Sequence, residues 1–348
     1  MEGKMMYNFQ ETRKVLMILT GVKIVNKPML KQLNILYLIL LLMSLIGQII
    51  LAIFTIVMSV NNVSMILEAI QFIVSLLIIT FGLANALYHI KDLDEASELI
   101  DNGIFIYPEE IAKEQEEIKL KGVQEITFMT KVFTIYIIFS GLSYLLFVPL
   151  KELISPSVEN NRPINKLLPI PLYMPFNTDD IMGFTVAIFI NLICMYCIIV
   201  LILSIDEVYI STMVQIRVQF QLLNYSLQNL ESRAIKKMKI LTNQVENNEE
   251  AKLNENILFK NCIYLCLKET IKHHQQLNRY IKKVQPYLGT TFLIIVALAS
   301  LIIAATGYLI TAYNNTAEEL LKFCIVLLSE LLFVLHFCWF GEDVATEV

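Results

Sequence analysis

The sequence predicts an all-α fold: a polytopic membrane helical bundle with six spans and long cytoplasmic helical extensions. Three observations carry this. Of the 348 residues, 56% are hydrophobic and only 17% are charged, with a mean hydropathy of +0.61; soluble domains are about half apolar and roughly a quarter charged. Six apolar runs are long enough to cross hydrocarbon, which takes about 20 helical residues. Lipid offers the backbone no partners, so such runs must satisfy their own hydrogen bonds as helices.

In chain order, residues 1–32 form a polar, basic arm. The predicted spans are Leu33–Val60, Ile66–Tyr88, Phe128–Leu150, Ile181–Ile205, Leu288–Ala312 and Leu320–Phe340. Spans one to four thus occupy 33–206, with an outer loop at 152–180. A cytoplasmic helical segment fills 207–287, spans five and six fill 288–340, and an acidic stub follows at 341–348. The first run is too long for the apolar core of a cleaved signal peptide, so it serves as its own membrane signal.

Lysine and arginine set the orientation. The N-terminal arm carries six, the loop His89–Thr127 four and the segment Asp206–Tyr287 twelve. The loop between the first two spans and the one between the last two carry none, and Glu152–Asp180 carries only Arg162 and Lys166. Both termini are therefore expected in the cytoplasm. Cys194, Cys197, Cys324 and Cys338 lie within spans, and Cys262 and Cys266 on the cytoplasmic side. No extracellular disulfide is expected. The orientation and the cysteines together argue against a G-protein-coupled receptor. Unequal loops and the lack of inverted repeats argue against a transporter.

Between the spans, "YPEEIAKEQEEIKLKGVQEI" reads as a helix opening at Pro108 and extending the third span into the cytoplasm. The outer loop "SPSVENNRPINKLLPIPLYMPFN" holds five prolines, which forbid a regular helix. Its apolar half predicts either a lid, with Leu168, Tyr173 and Phe176 turned inward, or a loop resting on the bundle. In the cytoplasmic segment, Met213, Ile216, Phe220, Leu223, Leu227 and Leu230 form one apolar stripe at helical spacing. Leu267, Thr270, His274, Leu277, Ile281 and Val284 form a second. Phe220, Leu223, Leu227, Leu277 and Ile281 are the expected anchor or subunit contacts.

Nothing in the sequence resembles a catalytic site: there is no phosphate loop, no Ser/His/Asp arrangement and no HExxH. No cofactor, metal or nucleic acid is expected. His273 and His274 point about 100° apart on a helix and cannot share one metal. The ionisable residues inside spans, Glu68 and Glu330, are costly to place there and tend to mark function. Glu330 and His336 lie on different faces of the sixth span.

Three stretches sharpen this picture: "QFQLLNYSLQNL" below the fourth span, "ETIKHHQQLNRYIKKVQ" before the fifth, and "LPIPLYMPFN" in the outer loop. Together with the closing "CWFGEDVATEV", their order and topology resemble the insect odorant receptors across nearly the whole chain. The arm departs from the family: "LTGVKIV" stands where many members carry Gly-x-Trp-Pro. The resemblance implies a seventh, pore-lining span, so the chain reads as truncated after Val348. It also implies a subunit that binds small apolar odorants from outside, among the outer halves of the second to sixth spans. Such a subunit gates a cation channel with an obligate co-receptor in the plasma membrane of olfactory neurons. A gustatory receptor of the same superfamily is the alternative. Depth in the membrane, not motif, offers Tyr144, Phe147, Met182, Phe184, Phe189, Tyr308 and Phe323 as candidate ligand contacts.

Overall fold

The computed structural model describes residues 28–101, 104–107, 112–154, 168, 170, 172–178, 180–243, 251–312 and 317–347. Among these residues there are eight helices and no strand: α1 Pro28–Met58, α2 Val63–Tyr88, α3 Ile90–Asp101, α4 Ala112–Ile154, α5 Ile181–Gln228, α6 Leu230–Asn243, α7 Ala251–Ala312 and α8 Ala317–Glu347. Six of them, α1, α2, α4, α5, α7 and α8, are long and apolar enough to cross a membrane.

The first spanning helix buries one stripe and turns the rest outward. In α1 the buried positions are Leu41, Leu45, Gln48, Ala52 and Thr55, at spacings of four and three. Ile39, Met43, Ile46, Ile50, Ile53 and Val57 cover the remainder and are exposed. A continuous apolar girdle of this kind is tolerated only where the surroundings are themselves apolar. A sequence reading of hydrophobicity alone finds the span but not its inner face, since both faces are apolar.

Burial of apolar surface does not drive helix association within lipid, so close packing and interhelical hydrogen bonds must do it. Gly82 of α2 lies directly against the Ile205 side chain of α5, and Gly122 of α4 against Val218. Asn85 donates to the Tyr287 carbonyl at 3.0 Å and to Thr291 Oγ1 at 2.9 Å, locking α2 to α7. Such a bond between spans contributes about 0.6 kcal/mol. It therefore fixes register more than it supplies bulk stability.

α5 is the central helix. Every residue from Ser204 through Thr212 is buried, including Asp206 and Glu207. Asp206 pairs with His336 of α8 at 3.2 Å, and the His336 ring stacks on Phe133 of α4 with centroids 4.3 Å apart. Thr130 donates to Glu207 at 3.0 Å.

The spans continue unbroken below the membrane. α7 carries Pro286 inside it, at the junction where its polar part becomes the fifth apolar run. Proline cannot donate the backbone bond expected there. Of the acidic tail expected as a stub at 341–348, the described residues 341–347 are the last turns of α8. Arg217 of α5 binds Glu125 of α4 and Asp343 of α8, and Gln221 donates to Glu347 at 2.8 Å. Burial works against the Arg217 charge, but the two carboxylates outweigh it and raise its pKa. The helix expected to open at Pro108 is described from Ala112, since 108–111 lie outside the described residues.

Of the second stripe, Thr270, Leu277 and Val284 are buried as expected, while the positions between them shift by one, Cys266, His273 and Tyr280 being buried rather than Leu267, His274 and Ile281. The buried face of α7 runs Cys262, Cys266, Thr270, His273, Leu277, Tyr280, Val284 and Tyr287. His273 is 0% exposed, while His274 is exposed. Leu267 and Ile281, counted as stripe, only flank it. Polar partners decided the outcome. Tyr107 contacts His273 Nδ1 at 2.8 Å, Gln219 Oε1 accepts from Nε2 at 2.9 Å, and Phe105 stacks on the ring. Of the other anchor residues, Phe220, Leu223 and Leu277 are buried, Ile281 is partly buried and Leu227 is exposed.

Candidate functional site

Between α2, α4, α5, α7 and α8, in the half of the bundle nearest the loop at 168–178, lies a cavity of about 210 Å³. That exceeds the roughly 150 Å³ of an engineered protein cavity that admits benzene. Its walls are mainly isoleucine (Ile78, Ile79, Ile198, Ile199, Ile202 and Ile302), with Phe72 and Phe333 closing the sides. Gly141 of α4 faces it across from Ile199, where a Cβ would come within 2.9 Å of the isoleucine tip.

The polar groups of the cavity come from two helical stripes. Glu68, Gln71 and Ser75 recur on α2 at spacings of three and four, and Ser329 and Glu330 adjoin on α8. Glu68 accepts from Lys322 Nζ at 2.5 Å, pinning the N-terminal ends of α2 and α8 together. Gln71 donates to Thr306 Oγ1 of α7 at 2.6 Å. The hydroxyls of Ser140 and Ser329 lie 3.1 Å apart. No Lys, Arg or His is among the lining residues.

The outer loop closes the same end. Ile170 lines the cavity, and its N–H donates to Asn191 Oδ1 at 2.8 Å. Leu168, Ile170, Leu172 and Met174 are buried in a second apolar cluster with Ala52, Ala187 and Cys194. Tyr173 N–H donates to Thr55 Oγ1 at 2.8 Å, and its ring packs against Phe54. Gly183 admits the loop: a Cβ there would strike the Asn177 carbonyl oxygen.

None of the candidate contacts chosen by depth lines this cavity. Met182, Phe189 and Tyr308 are exposed on the outside of the bundle, Met182 at 79%. Phe184 packs in the loop cluster, and Phe323 is buried beneath the Lys322 ammonium, 5.9 Å away. The Tyr144 and Phe147 side chains lie outside the described residues. Of the expected lid residues, Leu168 is buried, Tyr173 is partly buried and Phe176 is exposed, while Ile170 is the loop residue that reaches the cavity. Depth says how far along a span a residue sits, not which way it faces. The polar stripe Glu68, Gln71, Ser75 in an otherwise apolar helix was the available signal. No cluster of three metal-ligating side chains occurs among the described residues.

The family model for the 7tm odorant receptor matches residues 62–348. The chain belongs to the 7tm odorant receptor family. This is a family of receptors, not of enzymes. The fold of the receptor is similar to that of the insect olfactory receptor OR5 from Machilis hrabei. It superposes on the OR5 structure determined with eugenol at a TM-score of 0.70 and 13% identity, covering 98% of this chain and 81% of that one. A second OR5 structure gives the same score and identity, with 99% and 81% covered. The sequence matches no curated protein. The receptor is a multi-pass membrane protein.

Proposed function

We propose that this odorant receptor binds a small, largely apolar volatile molecule in the cavity between α2, α4, α5, α7 and α8. The supporting observation is the cavity itself: apolar walls, a few convergent polar groups and a size suited to one small organic molecule. The N-terminus faces the cytoplasm, the loop at 168–178 covers the ligand from outside, and a co-receptor subunit completes a cation channel in the plasma membrane of sensory neurons. Occupancy shifts the closed–open balance by as much as the ligand prefers one arrangement over the other. Inner contacts such as Asp206–His336 and Arg217–Asp343, which join α5 to α8, carry the change downward.

Purified receptor in lipid nanodiscs, melted against a panel of volatile ligands, tests the binding step. A ligand at 100 times its Kd stabilises the folded state by about 2.7 kcal/mol. Ile199→Trp, which fills the cavity, is expected to abolish the stabilisation while leaving folding intact. Stabilisation that survives Ile199→Trp would place the ligand elsewhere. Currents recorded on co-expression with a co-receptor test the gating step separately.

A further inference from the structure

Glu330 has no hydrogen-bond or ion-pair partner among the described residues, yet it lines the cavity midway along α8. The other carboxylate of the cavity, Glu68, is neutralised by Lys322. Two acids therefore face one space whose lining has no basic residue, and only one of them has a counter-charge. Glu330 is partly buried, and a carboxylate without a counter-charge is costly in such a low-dielectric site. A cationic guest relieves that cost.

Accepting the cavity as the ligand site, we infer that it selects small organic amines, the Glu330 carboxylate receiving the ligand's ammonium group. The surroundings match both ends of such a molecule. Ser329 and Ser140 bring hydroxyl oxygens to the same lining, so an ammonium with three N–H donors finds acceptors besides Glu330. The isoleucines and Phe333 receive a short branched or cyclic hydrocarbon body. An inorganic cation is a poor fit, because calcium, for example, takes six to eight oxygens and these walls are mostly hydrocarbon.

The test compares isosteres: cyclohexylmethylamine and cyclohexylmethanol, titrated into nanodisc receptor with ligand-induced melting as readout. The wild type is expected to bind the amine at least about 30-fold more tightly, the scale of a desolvated carboxylate–ammonium contact. Glu330→Gln is expected to erase that preference while changing alcohol binding less than about threefold. The variant removes an unpaired charge and should fold at least as well as the wild type; the wild-type comparison stands without it. Equal affinity for the two ligands, or an amine preference that survives Glu330→Gln, overturns the assignment. In that case alcohol binding that is lost in Ile199→Trp leaves the cavity reading intact. Binding of neither ligand, or binding indifferent to Ile199→Trp, removes both.

Discussion

Two regions of the receptor bury charge in opposite ways. In the bundle of α5, α6 and α7, Arg233 is 1% exposed and sits in a web: Nη2 donates to Glu269 at 3.0 Å, Nη1 to Thr270 and to the Ser226 carbonyl, each at 3.2 Å. Its guanidinium lies 4.9 Å from the Tyr107 ring, and Lys237 reaches the same Glu269. Glu330 in the membrane cavity has no Lys, Arg or His among the lining residues around it. Breaking a buried pair leaves a stranded charge, whereas removing a charge that was never paired relieves one. The paired site holds helices together; the unpaired one is left for something that arrives.

The sharpest way to break this contrast is Arg233→Ala. It removes a fully buried side chain and its bonds to Thr270 and the Ser226 carbonyl, leaving Glu269 with Lys237 alone, and opens the α5–α6–α7 junction, with an expected loss of about 3–5 kcal/mol in denaturant unfolding of the detergent-solubilised receptor. Glu330→Gln in the same assay is expected to leave stability unchanged or raise it. Comparable losses in the two variants would erase the distinction.

A pH titration sharpens it next. Burial, and then the charges of Lys119 and His274, depress the His273 pKa from 6.5 to about 4. The unfolded chain then binds the extra proton between those values, so stability falls as pH drops from 6.5 toward 4 and is fully present above. The shift corresponds to on the order of 3 kcal/mol. His273→Gln is expected to flatten the melting temperature over that window, and an unchanged slope would remove His273 as the cause.

Smaller effects probe the outer end. Gly183→Val drives a side chain into the Asn177 carbonyl, with an expected cost of about 1–3 kcal/mol and faster protease cleavage within the outer loop. Unchanged cleavage would mean that the loop is not held there. Asn62 caps α2 by accepting from Met65 N–H at 3.3 Å. Asn62→Ala should lower stability by about 1 kcal/mol, read by chemical denaturation.

Much of the architecture was legible. The run Leu33–Val60 became α1 over Pro28–Met58, and Ile66–Tyr88 became α2 from Val63, because twenty-odd apolar residues in lipid have one economical backbone state. The unbroken length of α5 and α7 was less legible, since polar stretches such as Asp206-Glu207 and Lys282-Lys283 resemble boundaries until a partner is in place. On the buried face of α7, Thr270, Leu277 and Val284 were legible, and the positions between them were missed by one residue. His273 and His274 are identical to any hydrophobicity count, and only Tyr107 and Gln219, distant in sequence, choose between them. The cavity was missed more fully: isoleucines facing lipid and isoleucines facing a cavity satisfy the same pattern.

The sequence by itself determined that this chain crosses the membrane as six helices and which family it resembles, because hydrocarbon length and backbone hydrogen bonding depend on composition alone. Tertiary structure decided which faces meet, which acids find a base, and where a space remains. Those outcomes depend on side chains tens to hundreds of residues apart arriving within about 3 Å of one another, as Gln71 and Thr306 do.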